Sequence, residues 1–268
     1  MYTVGGWPLP NIEAMLQRIG SKRPTLFAKF DMTSGYHQFP LSEESKACSA
    51  FKTSNGVYEW NRVPMGLKKA GSHFQMIMAT EVLPGLIHGI CEAYLDDLIT
   101  YGQTDDEFID HLRTLLQRLR DKRIYLNPDK VAIGTDQIEF VGHQIDSKGI
   151  TMTDNKLDSV RNFAKPIIKK GLKSFIGLAN YFRNHVQGHS MLAQPLQQIL
   201  EGYTASDRNH KIQWTDATTE AYEKLRDAVC ACQKLYFLET NEEYEVQLYT
   251  DASDYGIGAY LLQIVGGA

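Results

Sequence analysis

Cys91-Glu92-Ala93-Tyr94-Leu95-Asp96-Asp97-Leu98-Ile99-Thr100-Tyr101 sets two adjacent carboxylates between short apolar flanks. Apolar runs on either side of a polar pair predict two strands joined by a tight turn, with Asp96 and Asp97 at its tip. Aspartate favours turns for its own reasons, so the pair becomes informative only beside a third acid. That acid lies upstream. In Leu26-Phe27-Ala28-Lys29-Phe30-Asp31 the strand period of two puts Leu26, Ala28 and Phe30 on one face and Lys29 and Asp31 on the other. Three carboxylates gathered at the end of one sheet repel one another unless cations stand between them, and hard oxygen ligands suit magnesium. Two such ions about 3.5–4 Å apart activate an attacking hydroxyl and stabilise the leaving oxygens of a phosphoryl displacement.

Working outward, Ile12, Met15, Leu16 and Ile19 fall at helical spacing after Leu9-Pro10, with Gly20 as a stop. Residues 47–63 predict a hairpin around Ser54-Asn55-Gly56, and residues 70–83 a helix. After the acidic hairpin, Phe108, Leu112, Leu115, Leu116 and Leu119 form one apolar stripe. Thr104 and Glu107 have the spacing of a capping box, and Asn127-Pro128 closes the segment. Short strands are expected near Ala132-Ile133 and across Ile138–Ile145. Helices are then expected near 154–164 and 170–186, broken by Pro166, and another from Trp214 to about Cys232. Tyr244–Asp251 and Ile257–Leu262 alternate as a last strand pair.

The 268 residues carry 28 Lys and Arg against 32 Asp and Glu, with 43% hydrophobic residues. Disorder, collagen and coiled coil are excluded on composition, and the length suits two domains. No apolar run approaches the roughly 18 residues of a membrane span, and the first residues do not form a secretory leader, so an intracellular setting is expected. Cys48, Cys91, Cys230 and Cys232 are too sparse for a disulfide framework. His185 and His189 with Cys230 and Cys232 lack the spacing of a structural zinc site. The near-neutral total conceals an asymmetry. Between Lys156 and Arg183 seven bases face one acid, whereas residues 201–254 hold twelve acids and five bases.

Phe27-Ala28-Lys29-Phe30-Asp31-Met32-Thr33-Ser34-Gly35-Tyr36-His37-Gln38 resembles the first polymerase motif of gypsy-type LTR-retrotransposon reverse transcriptases, and Tyr94-Leu95-Asp96-Asp97-Leu98 their second. Between them, Val63-Pro64-Met65-Gly66-Leu67-Lys68-Lys69-Ala70 with Phe74-Gln75 is similar to the nucleotide-pocket segment. Leu126-Asn127-Pro128-Asp129-Lys130 and Phe140-Val141-Gly142-His143 resemble the end of the palm. Ser174-Phe175-Ile176-Gly177-Leu178-Ala179-Asn180-Tyr181-Phe182-Arg183 resembles the thumb, and Gln247–Ser253 with Gly256-Ile257-Gly258-Ala259 the opening of an RNase H domain. A lone Tyr-Leu-Asp-Asp would be weak; the ordered series is specific.

The resemblance implies an α+β right-hand polymerase. Residues 1–153 would form a ferredoxin-like palm with partial fingers, 154–205 a helical thumb, and 206–268 a linker with the incomplete beginning of an RNase H-like α/β segment. It implies an RNA-directed DNA polymerase in a Pol polyprotein, beside protease and integrase, in the cytoplasm (in a virus-like particle) or the nucleus. Asp31, Asp96 and Asp97 would hold two magnesium ions, or manganese in their place, and Asp251 would be a vestigial RNase H ligand without its partner acids. Met32, Tyr36, Met65, Gly66 and Lys130 would meet the incoming dNTP, with Tyr36 rejecting a 2′-hydroxyl. Tyr94, Lys165, Lys169, Lys170, Lys173 and Arg183 would contact the primer on its RNA or DNA template. Met65 stands where the family usually has Phe, and Lys69-Ala70-Gly71 where it usually has Asn-Ala-Pro. Only the tail of the fingers precedes Asp31, so a second expectation is a remnant that binds primer–template without extending it. Another two-metal phosphoryl-transfer enzyme on the same palm, a nuclease or cyclase, has no evident use for Ser34-Gly35-Tyr36 or the thumb.

Overall fold

A computed structural model describes residues 6–237, 245–253 and 256–264, with the backbone alone at 205, 251–253, 256, 257 and 260. In chain order its elements are α1 (Ile12–Ser21), β1 (Leu26–Asp31), α2 (Glu43–Cys48), β2 (Phe51–Thr53), β3 (Gly56–Tyr58), α3 (Ala70–Ile77), β4 (Cys91–Tyr94), β5 (Asp97–Gly102) and α4 (Asp105–Asp121). There follow β6 (Ala132–Thr135), β7 (Gln137–Phe140), β8 (His143–Asp146), β9 (Gly149–Met152), α5 (Asp154–Arg161), α6 (Lys169–Asn180), α7 (His189–Ile199), α8 (Asp216–Cys230), β10 (Leu235–Tyr236), β11 (Glu245–Ser253) and β12 (Gly256–Ile264).

The first sheet has the antiparallel order β4-β5-β1-β6. Its β1 alternates as the sequence predicts: Ala28 and Phe30 enter a core with Phe74 and Met78 of the α3 segment and Phe108, Leu115 and Leu119 of α4. The opposite face is not simply polar. Phe27 lies there fully buried with Ile99 and Tyr101, under Met15, Leu16 and Ile19 of α1 and Phe140 and Ile145 of the second sheet, β10-β9-β8-β7. The strand is thus sandwiched, with Asp31 at its end and Lys29 two residues before it each only partly buried.

Local chemistry sets the boundaries. The Asn11 side chain accepts from the Ala14 N–H at 3.0 Å to start α1. Thr104 caps α4 through the Glu107 N–H at 3.3 Å, but the Glu107 carboxylate takes the Gln103 N–H at 2.7 Å instead of closing a box on Thr104. Three further expectations are corrected. The helix expected over 170–186 is Lys169–Asn180, followed by a separate single turn at Arg183–His185. Residues 138–145 are a hairpin, β7 and β8, turned by Val141 and Gly142 at φ 49° and 77°. The helix expected over 70–83 loosens at Met78–Val82 into a π-turn.

A third core joins α5, α6, α7 and α8 around Phe175, Phe182, Leu196, Tyr222 and Leu225. Although the sequence assigns α8 to the linker, the Trp214 ring N–H donates to the Pro166 carbonyl at 2.8 Å and the Tyr222 hydroxyl to the Phe163 carbonyl at 2.9 Å. Beyond it β11 and β12 pair as one antiparallel hairpin, and the side chain of Asp251 lies outside the described residues. No helix among the described residues is long and apolar enough to cross a membrane.

The join between β5 and α4 is tight: a Cβ on Gly102 would come within 2.5 Å of the Phe108 backbone nitrogen. Backbone cannot yield as a side-chain tip can. Gly102→Ala should therefore destabilise the palm by about 2 kcal/mol or more, toward the upper range for overpacking, read as a lower urea midpoint at unchanged slope.

Candidate active site

Strand pairing brings the acids together. Asp31 is the direct cross-strand neighbour of Asp97 in the β1–β5 ladder, and Tyr94 pairs with Asp97 so that Leu95 and Asp96 alone form the turn. Leu95 adopts φ 54°, a left-handed conformation that is strained for a residue with a branched side chain. A clamp holds it there. Gln75 of α3, 1% exposed, accepts from the Leu95 N–H at 2.8 Å and donates to the Ala93 carbonyl at 3.0 Å. Gly35 supplies clearance, since a Cβ there would lie 3.3 Å from the Asp96 Cβ and from the Phe74 ring.

Two lysines answer the charge. Lys130 Nζ stands 3.2 Å from Asp31 Oδ2, and Lys29 Nζ 3.2 Å from Asp97 Oδ1. Asp96 has neither. Burial raises its pKa above the usual carboxylate range, and the negative charges of Asp97 and Asp31 raise it further, against the lowering effects of a hydrogen bond from its own backbone and of Lys130. Among the described residues no three acidic, histidine or cysteine side chains are gathered closely enough to hold an ion as they stand. The donor set nevertheless fits a hard divalent cation: all ligating atoms would be carboxylate oxygens, and the least compensated of them lies in the turn.

Tyr36 sits in the short turn Gly35–Gln38, its ring centroid 5.1 Å from that of Phe74. Its hydroxyl would be 3.6 Å from a Cβ on Gly71, at the start of α3, and its pKa is raised by burial, then by Asp96 and Tyr94. Tyr36, Lys130 and the three aspartates thus share one locality. Met32, by contrast, buries its side chain at 2% exposure in the α3–α4 core, leaving only main chain for a nucleotide. Met65 is 68% exposed and Gly66 takes φ 94° with open space around it, in the loop before α3. Tyr94 packs against the core beneath α1.

The basic residues are less free than their number suggests. Lys165 stands 4.6 Å over the Trp214 ring and donates to the Thr219 hydroxyl at 2.8 Å. Lys173 lies 4.7 Å over Tyr203, and Arg183 is 3.6 Å from Glu13 of α1. Lys169 and Lys170 open α6. In the sequence Gln75 figures only in the segment similar to a nucleotide pocket; its clamp on the turn had no signal beyond an amide on a buried helix face, next to Phe74.

An antiparallel sheet on helices, with carboxylates at the ends of adjacent strands and a helical domain behind, defines a palm and thumb of the right-hand polymerase class. The family description "Reverse transcriptase (RNA-dependent DNA polymerase)" matches residues 7–145, and "RNase H-like domain found in reverse transcriptase" matches 214–268. The chain belongs to the reverse transcriptase family. It is 31% identical over 262 residues to the retrovirus-related Pol polyprotein from transposon opus of Drosophila melanogaster, covering 96% of this chain and 26% of that protein. Identity to the Pol polyprotein from transposon gypsy of the same species is 29% (96% and 25% covered), and to the transposon Tf2-3 polyprotein of Schizosaccharomyces pombe 30% (96% and 18%). The chain therefore spans about a quarter or less of the length of these relatives. Its fold is similar to that of a foamy viral protease-reverse transcriptase in complex with double-stranded DNA, with a TM-score of 0.77 at 20% identity over 98% of this chain and 44% of the other. A foamy viral protease-reverse transcriptase in complex with an RNA/DNA hybrid gives a TM-score of 0.72 at 20% identity, covering 97% and 36%.

A carboxylate with a raised folded pKa keeps its proton where the unfolded chain has lost it, so its ionisation penalises the native state above that folded pKa. Asp96→Asn should thus raise the melting temperature at neutral pH without divalent ions, and the gain should vanish as pH falls below the ordinary aspartate range. Magnesium should stabilise the unaltered chain more than the variant. Calorimetry over pH, with and without magnesium, reads all of these.

Proposed function

We propose that the chain is the polymerase core of a retroelement Pol polyprotein, extending a primer with dNTPs on an RNA or DNA template. The observation that carries this reading is the cross-strand pairing of Asp31 with Asp97 beside the clamped Asp96 turn, next to Tyr36. Asp31, Asp96 and Asp97 would hold two magnesium ions, or manganese, which supply charge neutralisation for the attacking primer hydroxyl and the departing pyrophosphate. Lys130, paired with Asp31 in the structure, would turn to a triphosphate if cations met the aspartate charges. Tyr36, wedged between Phe74 and Gly71, offers a rigid ring edge on which a ribose 2′-hydroxyl would collide. Exposed Lys170 and the ring-held Lys165 and Lys173 would meet the duplex backbone without regard to sequence. In the parent polyprotein protease and integrase would be companions, inside the cell in a particle or the nucleus. RNase H cleavage is not expected of this segment, in which Asp251 alone matches the metal-binding acids.

A second reading follows from the lysines: with Asp31 and Asp97 already paired, the fold could persist as a duplex-binding remnant. Incorporation of labelled dNTPs on a primed RNA template with magnesium separates the two. Asp96→Asn/Asp97→Asn should lower extension by at least about 10²- to 10³-fold, the scale of removing a transition-state charge stabiliser. Tyr36→Val should raise ribonucleotide use relative to dNTP use. No extension by the unaltered chain, with duplex still bound, would favour the remnant.

A further inference from the structure

Glu92 is a charged residue at 0% exposure in β4, four positions before Asp96. Arg18 of α1 reaches it with a two-pronged fork, Nε to Oε1 at 2.6 Å and a terminal nitrogen to Oε2 at 3.0 Å. His88 Nδ1 stands 3.0 Å from the same Oε2. The fork has a fixed origin. On its lower side α1 is buried through Met15, Leu16 and Ile19, and Glu13 binds Asn184 and Arg183 at the base of the thumb.

The position in the sheet gives this pair its meaning. Among the described residues β4 is an edge strand, laddered to β5 and touched outside that ladder by a single bridge from Ile87 to Cys91. Glu92 pairs with Ile99 on the α1 face, whereas Ala93 pairs with Leu98 on the α3 face. The strand is therefore pinned from both faces at successive residues, by Arg18 through Glu92 and by Gln75 through Ala93 and Leu95. A slip of one residue would turn Glu92 into the apolar layer of Phe74 and Leu98 and carry Asp96 away from Asp31. A buried ion pair is weak evidence for stability, and its best-attested use is fixing register.

We propose that Glu92, forked by Arg18, is a positioning residue that locks the register of β4 and so sets Asp96 and Asp97 for metal binding. This rests on the metal site that the polymerase reading above places at Asp31, Asp96 and Asp97, and not on primer extension itself. Replacing both partners by apolar residues of similar size separates position from stability, because such swaps of buried pairs are often neutral or stabilising. Arg18→Met/Glu92→Met in the full chain should melt at or above the unaltered protein. Its Mn2+ affinity, read by electron paramagnetic resonance of the free ion, should fall by about 10- to 100-fold, the range for outer partners of metal ligands. Primer extension should lose kcat with the KM for primer–template unchanged. Should the double variant not fold, Glu92→Gln and Arg18→Lys keep the shape and are judged by the same Mn2+ criterion. Unaltered Mn2+ affinity in the folded variants overturns the proposal. Asp96→Asn/Asp97→Asn defines binding at the site: an unaltered chain that binds Mn2+ no better than this control overturns both the site and the proposal. An unaltered chain that binds Mn2+ there yet extends no primer overturns only the polymerase reading.

Discussion

The structure depends on a pairing that is unfavourable in itself. In the β1–β5 ladder Asp31 and Asp97 are direct neighbours, and like charges directly opposite destabilise a sheet. At an effective dielectric of about 20, two unit charges 4 Å apart cost about 4 kcal/mol. The ladder survives because the remainder of both strands is buried twice over, Ala28, Phe30 and Leu98 against α3 and α4, and Phe27, Ile99 and Tyr101 against α1 and β7–β9. Lys29 and Lys130 offset part of the repulsion at the strand ends. The site is thus a charge-frustrated rim on a rigid sandwich, and its frustration is relieved by added positive charge.

The acidic rim was legible because strand alternation and turn chemistry act locally. The face of β1, the tight turn at Asp96, the α4 stripe and the cap at Thr104 all follow from a few neighbouring residues. What was hidden depends on distant ones. Phe27 shares the face of Lys29 and Asp31, and only the arrival of α1 and the second sheet, remote in sequence, makes that face a core. The β7–β8 turn runs through Val141 at φ 49°, where a β-branched residue belies every turn preference. The surrounding packing overrides the local rule: the Tyr181 hydroxyl donates to the Val141 carbonyl at 2.9 Å and the His143 ring lies 3.0 Å from the same oxygen.

Gln75 and Glu92 teach the same lesson from the polar side. Each is a polar residue in an apolar run, a pattern that alone could mean a solvated face or a mistake. Their partners, the Leu95 N–H in one case and Arg18 in the other, lie 20 and 74 positions away. A buried polar group is tolerated when its bonds are made, and Gln75 uses both ends of its amide on β4 and the turn that follows it. That pairing also explains how Leu95 keeps a strained backbone: the strain is held by two well-formed hydrogen bonds in a dry layer, where they are strongest.

The thumb shows why net charge is a ceiling rather than a count. Of the seven bases between Lys156 and Arg183, Lys156, Lys165 and Lys173 stand over the rings of Tyr181, Trp214 and Tyr203, while Arg161 and Arg183 pair with Asp158 and Glu13. A ring leaves the ammonium its charge, whereas a carboxylate cancels it at a distance, so the ring-held lysines still contribute to the long-range field. Holding them also lowers the freedom they have left to lose. A lysine already stationed over an aromatic face forfeits less rotamer entropy when a phosphate arrives than one sweeping through solvent. On the polymerase reading, such stationed charges would suit a thumb that must hold a duplex firmly without reading its sequence, because their spacing is set by the packed rings and not by the ligand.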